Sequence, residues 1–60
     1  MTLEWIRMGN GEWETPDGWW IGYDDACRVW QFGFQDTSMG WGISADDAKA
    51  ECERMEGSSR

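Results

Sequence analysis

The side chains of this sequence that could carry out acid–base chemistry are carboxylates. The chain has 60 residues, with twelve Asp and Glu and no histidine, so a Ser-His or Cys-His dyad and a histidine metal site are excluded. A glycosidase needs only two carboxylates, and the pairs available are Glu12 with Glu14 and Asp24 with Asp25. That reaction also requires a cleft that desolvates one acid and raises its pKa, which so short a chain rarely builds. We therefore predict no catalytic residue and no enzymatic activity.

Metal binding lacks suitable ligands as well. Structural zinc needs more ligands than the two cysteines, Cys27 and Cys52, can supply. The aspartates Asp17, Asp24 and Asp25 do not follow the spacing of a calcium-binding loop. Aspartate is typical of turns, where its side chain bonds its own backbone. We predict neither a metal site nor a cofactor.

The two cysteines also bear on the compartment in which the chain works. A bond between Cys27 and Cys52 would close a loop of about 25 residues and contribute about 3 kcal/mol of stability. The first residues lack the basic stretch and apolar run of a secretory signal, and no segment reaches the length of a membrane helix. We therefore expect a cytoplasmic protein with two buried free thiols, and the disulfide is the alternative.

The charge is strongly negative. Twelve acidic residues stand against five Lys and Arg, which gives a formal net charge of −7. Nucleic acids and anionic membranes are themselves negative, so direct binding to either is disfavoured. A basic protein is the favoured partner, and the alternative is that the charge serves only solubility. The carboxylates that we predict to contact a partner are Glu12, Glu14, Asp17, Asp24, Asp25, Asp36, Asp46, Asp47 and Glu51.

The sequence is also rich in tryptophan. Six tryptophans, two phenylalanines and one tyrosine exceed what the core of so small a domain can enclose, because each ring buries on the order of 150–250 Å². Trp19 and Trp20 are adjacent, so in a strand they point to opposite faces and one of them faces outward. We include both among the predicted contact residues. An outward tryptophan could anchor a protein interface or stack on a sugar ring; stacking on an unpaired base is disfavoured by the negative surroundings.

The first half of the chain is predicted to form short strands. Residues 3–8 read as a strand followed by a turn at Gly9-Asn10-Gly11, and the run 15–18, Thr-Pro-Asp-Gly, has the composition of a second turn. The aromatic run 19–23 and the alternating run 28–34 read as the central hairpin.

The second half is predicted to contain a loop and then a helix. Residues 35–42 are rich in glycine and small polar residues and read as a loop, with a short strand around Trp41. Ser44 is the expected N-cap of the helix and Asp47 completes a capping box. Ile43 and Ala48 are spaced for a hydrophobic staple, and Gly57 is expected to end the helix. The side chains on the predicted buried arc are Ala45, Ala48, Cys52 and Met55.

These elements predict one domain over residues 1–60, with a frayed tail at 57–60. The fold class is α+β, an antiparallel meander of three to four strands with one C-terminal helix packed on it. Surplus aromatic residues and an exposed strand edge are also compatible with a homodimer.

In its small size and strong acidity the chain resembles the phage-encoded inhibitors of the anti-CRISPR and nucleic-acid-mimic type. The resemblance implies a non-catalytic inhibitor in the host cell cytoplasm, whose carboxylates stand in for phosphates and block a basic nucleic-acid-binding surface. Two alternatives stay open. One is a carbohydrate- or peptide-binding module that uses exposed tryptophans, and the other is an accessory domain whose charge serves only solubility.

Overall fold

The computed structural model describes residues 3–58 and shows one antiparallel sheet with a helix on one face. The elements, in chain order, are β1 (Ile6–Arg7), β2 (Trp13–Glu14), β3 (Trp19–Asp24), β4 (Val29–Phe34), β5 (Thr37–Gly42) and α1 (Ala45–Ser58). The strands are neighbours in the order in which they occur. The predicted α+β meander with a C-terminal helix is confirmed, and the described sheet has five strands instead of three or four.

Two of the predicted reversals are confirmed by their backbone geometry. The Gly11 N–H donates to the Met8 carbonyl at 3.1 Å, between β1 and β2. The Gly18 N–H donates to the Thr15 carbonyl at 3.1 Å, between β2 and β3. Gly18 has a φ of 115°, a conformation that a residue with a Cβ rarely adopts, so this turn depends on glycine.

The core lies between α1 and the two central strands. Ile21 of β3 pairs with Phe32 of β4, and both side chains are buried under the helix. Ala48 and Cys52, one turn apart on α1, are fully buried against them. The small size of both helix residues brings α1 close to the sheet, as the predicted buried arc required.

The loop predicted over residues 35–42 is limited to a turn at 35–36, and the short strand expected around Trp41 is a full strand, Thr37–Gly42, paired with β4. Its glycines reflect close packing. A Cβ at Gly40 would lie 2.9 Å from the Cζ atom of Phe32, and one at Gly42 would lie 2.9 Å from the backbone nitrogen of Ala48. Because Gly40 and Gly42 have no side chains, β5 can pack closely against Phe32 and against the start of α1.

The start of α1 is capped mainly as predicted. The Asp47 N–H donates to Ser44 Oγ at 3.1 Å, and Asp47 Oδ2 accepts the N–H of Ile43 at 3.2 Å, one residue earlier than in a standard capping box. The predicted staple between Ile43 and Ala48 is wrong, because Ile43 is 79% exposed. Gly42 faces the helix, so the next residue along the extended chain points away from it.

The end of α1 differs from the prediction. The helix continues through Gly57 to Ser58, so residues 57 and 58 are helical and do not belong to a frayed tail. A glycine lowers helix propensity without forcing a stop. Ser59 and Arg60, the rest of the predicted tail, lie outside the described residues.

The two cysteines have different environments. Cys52 is buried in the core as predicted, whereas Cys27 is exposed, which corrects the prediction of two buried thiols. Cys27 lies in the turn before β4, which begins only at Val29, so it never enters the packed part of a strand. Both are free thiols in the structure.

Within residues 3–58, the helix is neither long enough nor apolar enough to cross a membrane.

Candidate binding face

Among residues 3–58, no helix or further strand covers the face of the sheet opposite α1. Cross-strand partners share a face, so the register decides which side chains lie on it. Trp20 pairs with Glu14 and Gly33, and Trp41 pairs with Gln31. We call this surface the open face; its principal side chains are Ile6, Glu12, Glu14, Trp20, Asp24, Gln31 and Trp41. In the described part of the chain, no Lys or Arg occupies a strand position on the open face.

Trp20 is fixed against the sheet. Its ring lies over Gly33, where a Cβ would be 2.4 Å from the ring atom Cζ2. Its indole Nε1 donates to the carbonyl of Gln35 at 2.8 Å. The ring is half-buried and is held from two sides, so it offers a preordered apolar surface at the turn between β4 and β5.

Trp41 is the most exposed of the described tryptophans on the open face, at 62%. Its cross-strand neighbour Gln31 donates from Nε2 to Asp24 Oδ2 at 2.9 Å. The other oxygen of Asp24 accepts the N–H groups of Ala26 at 3.0 Å and Cys27 at 3.3 Å. A large exposed ring thus lies beside an amide and carboxylate pair whose positions are fixed by the turn.

Trp41 and Gln31 were not predicted as contact residues. The sequence does carry a signal for Trp41, since it stands between Gly40 and Gly42. In a strand those two glycines share the face that the helix covers, and the residue between them points the other way. The short strand expected around Trp41 does not by itself say which face the helix covers, so Trp41 was not among the predicted contact residues.

Trp19, one of the predicted contact residues, is buried on the helix side of the sheet. It is only 5% exposed, and its ring packs edge-on against Phe34 with centroids 5.0 Å apart. Its Nε1 donates to Glu56 Oε2 at 3.0 Å. The prediction that Trp19 and Trp20 face opposite ways is confirmed, and Trp20 is the outward one.

The predicted carboxylates of the first strands reach the open face. Glu12 accepts a hydrogen bond from Asn10 Nδ2 at 2.7 Å and lies over Gly22, where a Cβ would be 2.7 Å from its Oε2. Glu14 is exposed and stands opposite Trp20. With Asp24, these residues make the open face both aromatic and acidic.

The remaining predicted carboxylates lie elsewhere. Asp17, Asp25 and Asp36 are exposed in three separate turns, and Asp46 is exposed in the first turn of α1. The structure therefore brings four of the eleven predicted contact residues together on one face, namely Glu12, Glu14, Trp20 and Asp24.

Acidic residues of the helix are engaged within the protein. Asp47 caps the helix, and Glu51 forms an ion pair with Arg54, whose guanidinium lowers the pKa of that carboxyl. Glu53 accepts the Leu3 N–H at 3.1 Å and the Nε1 of Trp5 at 3.3 Å. The cap formed by Asp47 was predicted from the sequence, whereas the ion pair of Glu51 with Arg54 was not.

Tryptophans on the helix side also have partners within the chain. The ammonium group of Lys49 lies 3.7 Å from the ring centroid of Trp13 and 6.0 Å from that of Trp5. Such a cation over an aromatic face is attracted by the ring quadrupole. Lys49 therefore contacts tryptophans on the helix side of the sheet. The open face instead presents carboxylates and aromatic rings.

β5 forms one edge of the sheet, beside the open face. The Gln35 N–H donates to the Gly18 carbonyl at 2.7 Å, which sets the alternation of hydrogen bonds along β4. Successive residues of a strand point their backbone groups alternately to the two sides. Gln35 points toward β3, so Phe32, three residues earlier, points toward β5, where it pairs with Gly40. Trp41 follows Gly40, so its N–H and C=O point away from the sheet.

Two features restrict pairing along the rest of this edge. Ile43, the next outward-facing residue, has its N–H bonded to the Asp47 carboxylate. At the other end, a bulge opposite Phe32 and Gly33 interrupts the ladder. Capping and bulges are ways in which proteins protect an edge strand from pairing with other chains.

Within residues 3–58 there is no cluster of three or more His, Cys, Asp or Glu that could hold a metal ion. Comparison with protein-family models, with curated proteins and with solved structures gave no match for this chain.

Proposed function

We propose that this chain is a non-catalytic inhibitor that binds a basic protein surface through the open face of its sheet. The observation that carries the proposal is that the open face combines Trp20 and Trp41 with the carboxylates Glu12, Glu14 and Asp24, and that none of its described strand positions holds a Lys or Arg. The partner that complements such a surface presents Arg and Lys side chains between apolar ones.

The two tryptophans supply affinity in this proposal. An Arg or Lys of the partner placed over the exposed Trp41 ring gains about 0.5–1 kcal/mol, and about 2 kcal/mol once water is excluded. Trp20 is already held by Gly33 and Gln35, so docking on it costs little conformational entropy. Tryptophan is also among the residues that most often dominate interface energetics.

The carboxylates supply direction and specificity. With a net charge of −7, the protein attracts a basic surface over distances of about one Debye length, which is about 8 Å at physiological salt. Nucleic-acid-binding surfaces carry clustered positive charge of this kind. In the proposed mechanism the carboxylates of the open face take the place of phosphates, and one bound inhibitor blocks one nucleic-acid-binding surface.

The experiment that tests this function starts with a tagged pull-down from a bacterial lysate, eluted by a salt gradient and identified by mass spectrometry. The captured protein is then purified and titrated with the inhibitor. We expect capture of a nucleic-acid-binding protein, release at moderate salt and displacement by duplex DNA. A captured protein whose binding is indifferent to both salt and DNA would contradict the proposal.

Charge-matched variants locate the contact on the open face. Glu12→Gln with Glu14→Gln removes two charges from that face, and Asp17→Asn with Asp46→Asn removes two exposed charges elsewhere. We expect the first pair to weaken binding to the captured protein at least tenfold and the second pair to weaken it only slightly. Equal losses would show that only the total charge matters.

A second candidate function is supported by the surroundings of Trp41. Its exposed ring lies beside the Gln31 amide and the Asp24 carboxylate, and polar groups at the edge of a planar ring suit a sugar. Binding of a glycan would depend on Trp41 and be nearly independent of salt. Screening the protein and its Trp41→Ala variant on a glycan array, at low and high salt, distinguishes this function from the first.

A further inference from the structure

A separate pocket of about 530 Å³ lies on the helix side of the sheet, beyond the edge of the core. It opens between the last turns of α1 and the turn that joins β4 to β5. Its walls include Trp19, Phe34, Asp36, Met39, Met55 and Glu56. None of these residues belongs to the open face, so the pocket does not rest on the function proposed above.

Two local features of the chain create this pocket. The bulge opposite Phe32 and Gly33 inserts one extra residue into β5, and Met39 lines the pocket from that segment. Bulges re-aim side chains in this way and are common beside functional sites. The second feature is that α1 extends beyond Met55 to Ser58, which places Met55 and Glu56 over the same opening.

The wall of the pocket is mainly apolar. Trp19 and Phe34 meet edge to face, with ring centroids 5.0 Å apart and planes inclined by 60°. Met39 and Met55 add two flexible, polarizable thioethers, which adapt to ligands of different shape. A pocket of about 300–1,000 Å³ with such a lining is typical of sites for small organic molecules.

The charged side chains that the structure describes in the walls of the pocket are both acidic. Glu56 and Asp36 are carboxylates, Gln35 and Thr37 are neutral, and none of the described wall residues is a Lys or Arg. The position of Glu56 is fixed by the hydrogen bond from the Trp19 indole at 3.0 Å. An apolar cavity with fixed negative charge at its margin favours a ligand with a hydrophobic body and a cationic end, and disfavours an anion.

We propose that this pocket binds a small hydrophobic amine, with its apolar body between Met39, Met55 and Phe34 and its ammonium group toward Glu56 and Asp36. The two parts of the ligand correspond to the two parts of the lining. A neutral molecule of the same shape loses the attraction of the carboxylates, and a carboxylate of the same shape is repelled by them.

Three probes with one phenylalkyl body test the proposal: 4-phenylbutylamine, 4-phenylbutanol and 4-phenylbutyrate. Each is titrated into the full chain at low salt. Binding is followed by NMR through the methyl signals of Met39 and Met55 and the indole N–H signal of Trp19. We expect the amine to bind at least about 10-fold more tightly than the alcohol and the butyrate to bind most weakly. The Trp41 indole signal, on the open face, should not move.

Two variants complete the test. Asp36→Asn removes an exposed carboxylate of the pocket and should reduce the preference for the amine over the alcohol. Asp46→Asn, the matched control on the first turn of α1, should leave that preference unchanged. The proposal is overturned if the three probes bind equally, if no probe shifts the pocket signals, or if the amine shifts Trp41 as strongly as Trp19. These outcomes do not bear on binding by the open face, which has its own variants.

Discussion

The indole Nε1 of Trp19 and the carboxylate Oε2 of Glu56 lie 3.0 Å apart and join the first residue of β3 to the last turns of α1. A glutamate near the negative end of a helix dipole is unfavourable by itself. Its hydrogen bond to Trp19 gives Glu56 a structural role, because it pairs the indole N–H of a tryptophan that is buried at the margin of the core. Glu53 serves Trp5 in the same way one turn earlier.

Glu56→Ala should therefore destabilise the protein. The indole N–H of Trp19 loses its carboxylate acceptor, and a polar group left unpaired in a partly buried position costs about 1–3 kcal/mol. Glu56→Gln keeps an oxygen acceptor at the same position and should cost less than half as much. Urea unfolding of the two variants and the wild type measures the difference. If the alanine and glutamine variants were equally stable, the hydrogen bond would contribute nothing.

Gly33→Ala should be the most destabilising of the glycine substitutions. A Cβ at this position would lie 2.2 Å from the backbone oxygen of Thr37 and 2.4 Å from Cζ2 of Trp20. The backbone contact can be relieved only by moving the turn between β4 and β5, so we expect a loss of about 3 kcal/mol or more. Gly9→Ala is the control, because a Cβ there meets no atom within 4 Å and the change should cost little. Thermal unfolding of both variants checks the prediction, and similar melting temperatures would contradict it.

Asp47→Ala should lower stability and also expose the edge of the sheet. The substitution removes the acceptor for the Ile43 N–H and the favourable charge at the start of α1, for a combined cost of about 1 kcal/mol. It also frees an outward N–H next to Trp41, so we expect self-association to increase. Asp46→Ala removes a charge from the same turn without this bond and serves as the control. Urea unfolding and analytical ultracentrifugation provide the two measurements, and an Asp47 variant that behaved like the control in both would refute the assignment.

The two thiols should differ in reactivity. Burial raises the pKa of the Cys52 thiol to about 12, with a further contribution from the negative charge of Glu53 and then Glu51. Cys27 is exposed. At pH 8 a thiol reagent such as iodoacetamide should modify Cys27 readily and Cys52 only after unfolding, since the thiolate is the reactive form. Mass spectrometry of the partly labelled protein identifies the site, and rapid labelling of Cys52 in the folded state would contradict its burial.

The same pKa shift predicts a loss of stability at high pH. The thiol of the unfolded chain ionises near pH 9.0 and that of the folded chain near pH 12. Below pH 9 both states hold the proton and stability is unaffected; as the pH rises from 9 toward 12 the unfolded state releases it first, so stability falls. Cys52→Ala should weaken this dependence of the melting temperature on pH. Parallel pH profiles for the variant and the wild type would show that other groups cause it.

Much of the fold could be predicted because it depends on local signals. The turn at Thr15–Gly18, the central aromatic hairpin and the capped start of α1 each depend on residues within a few positions of one another. A short strand around Trp41 was predicted, but the full length of the fifth strand could not be predicted in the same way. Gly40 and Gly42 have low strand propensity by themselves, and they are suited to a strand only because Phe32 and Ala48 occupy the space that their side chains would fill.

The sequence by itself determined the chemical resources of this protein: many carboxylates, no histidine and more tryptophan than the core can hold. It also determined that Trp19 and Trp20 face opposite ways, since alternation in a strand is a local property. Only the tertiary structure decided how these groups are distributed. The helix covers one face of the sheet, so Trp19 is buried while Trp20 and Trp41 share the open face with Glu14. Carboxylates at Glu53, Glu56 and Asp47 bond backbone and indole N–H groups. The physical reason is that sheet register and helix placement are set by contacts distant in sequence, and these contacts determine which face of each strand remains uncovered.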